Sequence, residues 1–361
     1  VEVEFEKIIK EANFKYIIFS YSDKGLMSNK FIEAVLKRYG KKGSYVFKKI
    51  NFTKYKSTRA VKKEQRDNTE KEEHYEYLFF IEKETNPKYI SPLNYIGGKF
   101  STLDLILNNL PNQYNKCYDL FGGGATVGIN LQSKDGIIYN EINQYVVELL
   151  KYITDNEPAD IYKNINKEIK RYGLEKGKKE AYKKLRDVYN TSKKPLLLYL
   201  LICFGFEHQI RYNSKLEFNN PCGNSGFNDE MYEKLISYHL ISKDKNIIYK
   251  CYSFEKFENE IKKGDLVYLD PPYLGNDGVY QDGKRGFEGW DEHHEKKMYA
   301  FMENIDKIGA HFMLSNYIEH NRSSNNSLIT WAKQNNFKVT EDNKITKRNR
   351  TNRKEIIITN Y

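Results

Sequence analysis

A carboxylate, two prolines and a tyrosine stand together in the tetrapeptide Asp270-Pro271-Pro272-Tyr273, directly after the apolar residues 266–269. The apolar run predicts a short buried strand, and the prolines must end it because proline has no N–H and a fixed φ. Ligands of open α/β sheets bind at the carboxyl ends of strands, so chemistry is expected at this tetrapeptide. The carboxylate and the rigid carbonyls can accept N–H bonds, while the tyrosine can stack. Together they could grip a flat ring that carries an amino group.

A glycine-rich loop and an acid form a second group of interest. Residues 116–120 predict a short strand, the loop 121–128 follows at once, and the next predicted strand, 136–141, ends in Glu141. In nucleotide-binding folds such a loop opens a helix, and an acid about 20 residues after the glycines binds ribose hydroxyls. Glu141 lies 19 residues after Gly122, which fits this spacing. The pattern therefore predicts a nucleotide-type cofactor site with a helix after the loop. It does not distinguish a dinucleotide from S-adenosylmethionine.

The composition favours a polyanionic partner. The 361 residues carry a net charge of +10, and 30 tyrosines and 20 phenylalanines supply faces for stacking. The 4 cysteines lie far apart, so neither a metal site nor a secreted disulfide framework is predicted, and we expect reduced thiols in a bacterial cytoplasm. The longest apolar run, 196–206, is too short to span a membrane and suits a buried helix.

The remaining pattern predicts an α/β core that is interrupted by a basic, helical stretch. Residues 89–155 alternate strand, glycine loop, helix and strand, and strands return at 246–270 after the mainly helical residues 156–230. Other expected elements are strands at 14–22, 75–82, 311–316 and 354–361 and helices at 28–38 and 291–308. Loops are expected at 54–73, 275–290 and 344–353, and the second is long enough to be a lid.

The polar stretch 210–223 separates the helical region from the later strands. We expect it to contact substrate rather than join the core, because polar loops on a rigid scaffold often carry binding residues.

The beginning of the chain resembles its end. Strand 17–21, a helix, a basic loop and strand 76–81 follow the same order as strand 312–316, a helix, a basic loop and strand 355–358. We therefore expect residues 1–88 to be the C-terminal part of a preceding domain of the same kind. The first residue is Val1 rather than methionine, which is consistent with a piece of a longer protein.

With these pieces in order, residues 89–361 resemble the Dam-like (D12 class) adenine-N6 DNA methyltransferases. The segment 95–99 is similar to the family's opening cofactor loop, 121–128 to its methionine-binding loop and 140–143 to its ribose-binding segment. The pair at 253–254 resembles the contact to the cofactor's adenine, and the tetrapeptide resembles the active-site motif. The residues that this resemblance assigns to the cofactor are Tyr95, Gly98, Lys99, Phe121, Gly122, Gly124, Glu141, Ser253, Phe254 and Asp270.

The resemblance implies S-adenosylmethionine as methyl donor and double-stranded DNA as substrate. It implies a Rossmann-like α/β sheet with helices on both faces, in which 89–155 and 246–361 form the catalytic core and 156–245 an inserted, mainly helical target-recognition domain. The segment 211–223 is similar to the family's polar segment, although Leu216 and Cys222 stand where the family usually has glycine and phenylalanine. Candidate DNA-binding residues in it are Arg211, Asn213, Lys215 and Asn219.

The roles implied for the tetrapeptide follow from adenine chemistry. Asp270 and the Pro271 carbonyl would accept the two N6–H bonds of a flipped-out adenine, and Tyr273 would stack on its ring. Lys99 could serve either the cofactor or a DNA phosphate.

Two such domains in one chain would resemble the FokI-type tandem methylases that accompany type IIS restriction endonucleases. This resemblance implies that the endonuclease belongs to the same system without binding the chain. It also implies that the chain is a monomer. Alternatives stay open: methylation of cytosine N4, RNA or a protein amide, or a DNA-binding module without turnover. Asp270, rather than serine or asparagine, favours adenine. A nicotinamide dehydrogenase fits worst, because its motifs give no role to residues 270–273.

Overall fold

The computed structural model of the protein describes residues 1–52, 74–95, 97–273, 290–320, 323–342 and 354–361. The loops predicted at 54–73 and 344–353, and all but the last residue of the lid predicted at 275–290, lie outside this described part. Contacts divide the chain into two compact units, Val1–Lys88 and Tyr89–Tyr361.

The first unit is a three-stranded antiparallel sheet with two helices. In chain order its elements are α1 (Glu2–Glu11), β1 (Tyr16–Ser22), α2 (Asn29–Tyr39), β2 (Val46–Phe52) and β3 (His74–Glu82). The strands lie in the order β1-β3-β2. The helix α2 begins as predicted because the Ser28 hydroxyl accepts the backbone N–H of Phe31. Phe5 of α1 packs between the rings of Phe19 and Phe31, with centroids 4.7 and 6.2 Å away.

The second unit is built on a mostly parallel sheet, which confirms the predicted fold class. Its strands are β4 (Cys117–Asp119), β5 (Ile137–Asn140), β6 (Ile247–Lys250), β7 (Leu266–Leu269), β8 (His311–His320), β9 (Ser323–Ser324), β10 (Lys338–Glu341) and β11 (Lys354–Thr359). They lie in the order β10-β11-β8-β7-β4-β5-β6, with β9 paired to β8. The strands from β8 to β6 are parallel, and β11 is antiparallel to both of its neighbours.

The strand order reverses at β4, whose neighbours are β5 on one side and β7 on the other. From β4 the chain builds outward through β5 and β6, then returns to place β7 and β8 on the opposite side. Such a switch point opens a crevice outside the carboxyl ends of the strands. The topology thus brings the glycine loop after β4 beside the tetrapeptide after β7.

Helices cover the sheet of the second unit. They are α3 (Leu103–Asn108), α4 (Gln144–Asp155), α5 (Pro158–Tyr172), α6 (Lys179–Ser192), α7 (Pro195–Phe204), α8 (Asp229–Asp244), α9 (Glu292–Ile308) and α10 (Asn326–Gln334). The predicted apolar helix is α7, which proline opens and which is buried along most of its length. Within the described residues, no helix combines the length and apolar character that a membrane crossing needs.

The helix predicted after the glycine loop does not form. The chain instead makes turns and a short 3-10 helix, Gly128–Asn130. The 3-10 helix ends before Leu131, whose φ of −76° and ψ of 150° are extended, so no α-helix continues from it. Within the loop, Gly123 and Ala125 have φ angles of 48° and 62°, in the left-handed region, so a right-handed helix cannot include the loop either. The prediction also omitted β2, β10 and α8.

The helices α5 to α8 of the predicted recognition region pack on one another and on α4. They belong to the same compact unit as the sheet. Their attachment to α4 fixes the polar stretch that lies between α7 and α8 relative to the sheet.

Candidate active site

A cavity lies at the carboxyl ends of β4, β5 and β7. All of the residues predicted to hold a cofactor line it: Tyr95, Gly98, Lys99, Phe121, Gly122, Gly124, Glu141, Ser253, Phe254 and Asp270. Pro272 also lines the cavity, together with Asp119, Trp290 and His294, which the sequence analysis did not select. One space therefore collects residues from segments that are far apart in the sequence.

Glycines let the loop after β4 pass close to two tyrosine rings. A Cβ on Gly122 would lie 2.2 Å from Cε2 of Tyr139, and one on Gly123 would lie 2.9 Å from Cδ1 of Tyr95. Both distances are shorter than carbon contacts allow, so a side chain would displace the loop or the rings. The Tyr139 hydroxyl, which donates to the Gly123 carbonyl at 2.5 Å, helps to hold this tight arrangement.

Glu141 joins the end of β5 to the glycine loop. Its Oε2 accepts the backbone N–H of Gly123 at 2.9 Å, and its Oε1 accepts that of Asn143 at 3.0 Å. The side chain is buried at the cavity wall. Each oxygen has acceptor capacity beyond these bonds, so the carboxylate is held in place and can still bind hydroxyl groups.

Asp119, the last residue of β4, is a buried acid beside the glycine loop. Its Oδ2 accepts the backbone N–H of Gly128 at 3.0 Å, while Oδ1 has no hydrogen-bond partner within the described chain. Burial raises the pKa of Asp119 to about 7, and the charges of Asp270 and Glu141 add to the rise. The hydrogen bond from Gly128 acts in the opposite direction and lowers this pKa. A positive ligand group in the cavity would favour the ionised form.

Both oxygens of Asp270 have partners. The Lys99 Nζ lies 2.6 Å from Oδ2, and the Tyr273 hydroxyl donates to Oδ1 at 2.7 Å. The Lys99 side chain is only 5% exposed and also donates to the Gly97 carbonyl at 3.2 Å. The sequence analysis allowed Lys99 a role either at the cofactor or at a DNA phosphate. In the structure it is the ion-pair partner of Asp270.

Tyr273 is buried between the ion pair and a second tyrosine. Its ring centroid lies 4.3 Å from that of Tyr317 on β8, and the Lys99 Nζ lies 5.4 Å from the same ring. Burial, with the charge of Asp270, raises the pKa of Tyr273 well above its usual value, so its hydroxyl stays a donor. Because the ring is enclosed here, a base could reach its face only after a local rearrangement, and the stacking role stays a prediction.

An aromatic cluster forms another wall of the cavity. Phe254 lies 5.6 Å from Phe121 and 6.1 Å from Trp290, measured between ring centroids. The Ser253 hydroxyl bonds to the Glu255 carboxylate. Flat apolar faces of this kind suit an aromatic ring of a ligand.

The polar stretch folds as a hairpin at residues 211–219. Tyr212 and Phe218 pair across it, and both are buried, so the expectation that this stretch avoids the core is wrong for these two residues. The Tyr212 ring stacks on Tyr145 of α4 at 5.0 Å, and its hydroxyl bonds to that of Tyr189 on α6 at 2.6 Å. Ring contacts across the chain, which the sequence does not display, therefore anchor the hairpin.

The residues predicted to bind DNA lie on this hairpin and do not line the cavity formed by the described residues. Arg211 donates from Nε to Asn219 Oδ1 at 2.8 Å. Asn213 Oδ1 accepts the backbone N–H groups of Lys215 and Glu217, each at 2.9 Å. These bonds order the hairpin, and Ile210 at its base reaches the cavity.

A protein-family comparison matches residues 95–347 to the D12 class N6 adenine-specific DNA methyltransferases. The chain belongs to this family. The match spans the glycine loop, the hairpin and the tetrapeptide, and it confirms the resemblance predicted from the sequence.

Three similar proteins show where the chain stands within the D12 class. The type II methyltransferase M.FokI of Planomicrobium okeanokoites is 36% identical over 99% of this chain and 58% of its own length. The modification methylase StsI of Streptococcus sanguinis is 33% identical over 99% of this chain and 58% of its own. A DNA adenine methylase of Salmonella typhi is 28% identical over 50% of this chain and 64% of its own. The chain thus spans little more than half the length of the first two.

Proposed function

We propose that this chain transfers a methyl group from S-adenosylmethionine to N6 of an adenine in double-stranded DNA. One observation carries the proposal: Asp270 lines the same cavity as the glycine loop and Glu141. An acceptor for an amino group and a cradle for a nucleotide-type cofactor therefore share one space, as transfer between the two requires.

The residues of the cavity fit this cofactor. The glycine loop packs tightly on two tyrosine rings and lines the cavity with its backbone, and the aromatic wall offers a face to an adenine ring. Glu141 would accept the ribose hydroxyls, and Phe254 would contact the adenine. Asp119 would favour the cofactor's positive charge. When bound, S-adenosylmethionine supplies the methyl group on an electrophilic sulfonium.

The tetrapeptide would make adenine N6 a nucleophile. Inside a duplex N6 is out of reach, and flipping the base out costs roughly a few kcal/mol. Asp270 and the Pro271 carbonyl would accept the two N6–H bonds, which turns the nitrogen lone pair toward the methyl group. Positioning and local electrostatics are the catalytic effects, and the N6 proton leaves after transfer.

Lys99 would act on the reaction through Asp270. Its ammonium group compensates the carboxylate and fixes Oδ2, which leaves Oδ1 to meet N6–H. The Tyr273 hydroxyl holds Oδ1 in the base-free state, and an incoming amino group would share or replace that bond. Stacking of Tyr273 on the base would offset part of the flipping cost, by about 1–3 kcal/mol.

DNA would bind over the basic, mainly helical residues 156–245 of the second unit. The net charge of +10 suits a phosphate backbone, and we propose the hairpin residues Arg211, Asn213, Lys215 and Asn219 as its DNA contacts. The names of M.FokI and StsI support a role in a restriction–modification system. In that role the chain would protect bacterial DNA in the cytoplasm as a monomer, with the endonuclease a partner only through the shared site.

We further propose that residues 1–88 are the C-terminal part of a second methyltransferase-type domain. The order of elements in the first unit, which repeats the order at the end of the second, supports this assignment.

Tritiated methyl transfer from S-adenosylmethionine to plasmid DNA, followed by nucleoside analysis, tests the activity. N6-methyladenine from the wild-type chain, and none from an Asp270→Ala variant that still binds cofactor, is the expected result. Methylcytosine would shift the proposal to cytosine N4. Cofactor binding without any transfer would favour a DNA-binding module.

A further inference from the structure

The first unit repeats the last elements of the second in order and in topology. It runs α1-β1-α2-β2-β3, and the second unit ends with α9-β8-α10-β10-β11, apart from the two-residue β9. The strands lie in the order β1-β3-β2 in the first and β8-β11-β10 in the second, with antiparallel pairs in both. Strand β1 therefore corresponds to β8.

One face of the sheet is covered in both units. Phe19 of β1 pairs with Phe79 of β3 beneath α1 and α2, and Phe79 is buried. Leu314 of β8 pairs with Ile358 of β11, and both are buried in a cluster with residues of α9 and α10. The two units thus share their register as well as their order.

The opposite face differs between the units. In the second unit the segment around α3 lies on it: the Thr102 side chain bonds to Glu355 of β11, and the Tyr361 hydroxyl donates to the Asn109 carbonyl at 3.0 Å. Met313, on this face of β8, is 0% exposed. Its counterpart in β1, Ile18, is 73% exposed.

The exposed apolar residues on this face of the first unit form a patch. Ile18 pairs with Phe80, and Phe80 pairs with Val46 of β2, so the three lie side by side on the same face. Val46 is 45% exposed, and Ile50 farther along β2 is 44% exposed. Tyr16 stacks on Phe80 at 5.9 Å. We call this set, Tyr16, Ile18, Val46, Ile50 and Phe80, the open face.

The edge of the sheet next to the open face also differs. The corresponding strand β8 pairs on its outer edge with β7, in parallel, so that Val267 lies opposite Phe312 and Leu269 opposite Leu314. Within the described residues β1 pairs only with β3. A strand edge with free N–H and C=O groups is a template for another strand.

We propose that the open face and the free edge of β1 dock a methyltransferase-type segment: a strand that pairs in parallel with β1, as β7 pairs with β8, and an apolar helix that covers the open face, as α3 does. The added strand would lie opposite Tyr16–Phe19 of β1, the positions that correspond to His311–Leu314 of β8. The inference rests on the proposed assignment of residues 1–88 and names the partner of that unit, but it is independent of the proposed activity, because it concerns residues outside the family match.

The repeat of the second unit's last elements in the first unit indicates which kind of partner fits the open face. A sheet of this topology buries both faces in the second unit, and the same sheet in the first unit leaves apolar side chains uncovered. The chain also spans only 58% of M.FokI and StsI, so proteins of this kind contain further sequence beyond the matched region. A strand and a helix of the same fold fit the edge and the open face together.

Co-purification tests the docking. The tagged part of M.FokI outside its region of similarity to this chain is co-expressed with the 361-residue chain and recovered by its tag. We expect recovery of the wild-type chain and at least a tenfold loss with Ile18→Glu. The matched control is Ile8→Glu on α1, which places the same charge at a position of similar exposure, 64%, away from the sheet. This control should bind as the wild type does.

Hydrogen exchange gives a second measurement on the same complex. Amides on the outer edge of β1 should become protected when the M.FokI part binds, while those of α1 should not change. Ile18→Ser, a milder substitution, should weaken binding in the same direction and keeps the test valid if the glutamate variant misfolds. Methyl transfer by the second unit should be equal in all three variants, which separates this proposal from the proposed activity.

Three results would overturn the proposal. The M.FokI part could fail to recover the wild-type chain, or it could recover the Ile18→Glu chain equally well. Alternatively, the wild-type chain could form a dimer in sedimentation that Ile18→Glu dissociates, which would make a second copy the occupant of the open face.

Discussion

The Nζ of Lys99 lies 2.6 Å from the Oδ2 of Asp270, so the segment 95–99 and the tetrapeptide 270–273 are joined by a nearly buried ion pair. Lys99 precedes β4 in the chain, whereas Asp270 follows β7, so the pair joins segments that are far apart in the sequence. A buried pair of this kind is weak evidence for stability, because desolvation offsets its attraction. Its value here lies in orientation: it ties Oδ2 to Lys99 and so fixes the rotation of the carboxylate.

Replacing Lys99 with methionine should therefore reduce methylation strongly. The variant keeps the length of the side chain but leaves Asp270 without its charged partner, so only the bond from the Tyr273 hydroxyl still orients the carboxylate. A displacement of about 1 Å in such a group can cost about 100-fold in rate. Single-turnover methyl transfer measures the loss, and cofactor affinity should change less than the rate. Lys134→Met, at an exposed position, is the control. Equal rates in both variants would contradict the positioning role.

Two substitutions at Tyr273 separate its ring from its hydroxyl. Phenylalanine removes only the bond to Asp270 Oδ1, whereas alanine also removes the ring that packs on Tyr317. We expect Tyr273→Ala to lose more activity than Tyr273→Phe, because the stacking face contributes about 1–3 kcal/mol. Binding of DNA that carries 2-aminopurine at the target position, read by the fluorescence of this base, checks whether the loss lies in base flipping. Identical activities would refute the stacking role.

The sequence predicts the cofactor side of the site well because its signals are local. The apolar run 266–269 ends at prolines, and the structure places β7 over the same residues. The glycine loop and Glu141 follow consecutive strands, so their meeting at one end of a parallel sheet follows from the fold. Every residue predicted to hold the cofactor lines one cavity.

The sequence does not predict contacts that tertiary packing creates. Nothing local marks Lys99 as the partner of Asp270, and the burial of Tyr212 depends on Tyr145 and Tyr189 from distant helices. Asp119 was missed because an acid at the end of a strand is common. Its position immediately before a glycine loop was the available signal. The helix expected after that loop does not form because the backbone becomes extended at Leu131, which a helix pattern does not reveal.

Cofactor binding should strengthen as the pH rises through 7. Burial raises the pKa of Asp119 to about 7, so in the free protein the group is largely protonated at pH 6 and ionised at pH 8. A positively charged cofactor favours the ionised form, so the dissociation constant should be up to about tenfold lower at pH 8 than at pH 6. Calorimetric titration with S-adenosylmethionine measures this, and Asp119→Asn should flatten the profile. A profile that stays steep in the asparagine variant would assign the effect to another group.

The raised pKa of Asp119 has the opposite effect on the stability of the cofactor-free protein, to which this group contributes less as the pH rises. Because the folded-state pKa of Asp119 lies above its ordinary value of 3.8, the unfolded state loses this proton first as the pH rises. The contribution of this group to the free energy of unfolding therefore falls between about pH 4 and pH 7. Thermal unfolding of Asp119→Asn relative to the wild type should show a larger gain at pH 8 than at pH 5.

Gly122→Ala should weaken cofactor binding. The new Cβ would lie 2.2 Å from a ring carbon of Tyr139, so either the loop or the ring must move. A loop shift breaks its fit to the cofactor, and we expect at least a tenfold rise in the dissociation constant. Adding Tyr139→Leu removes the clashing ring and should recover part of the affinity, which a double-mutant cycle would record as a coupling between the two sites. Purely additive effects would place the defect elsewhere.

Leu216 is strained at the tip of the hairpin. Its φ of 57° lies in the left-handed region, at the position where the family usually has glycine, and its N–H still closes the turn onto the Asn213 carbonyl at 3.0 Å. A side chain in this conformation costs about 1–2 kcal/mol. Leu216→Gly should remove that cost, part of which the added entropy of the unfolded chain offsets, and raise the unfolding midpoint of the second unit by up to about 2–4 °C. Lys215→Gly, one residue earlier and without positive φ, should lower the midpoint because it only adds chain entropy to the unfolded state. If both glycine variants shift the midpoint equally, the strain at position 216 is not relieved, and the leucine side chain must make a contact that compensates for it.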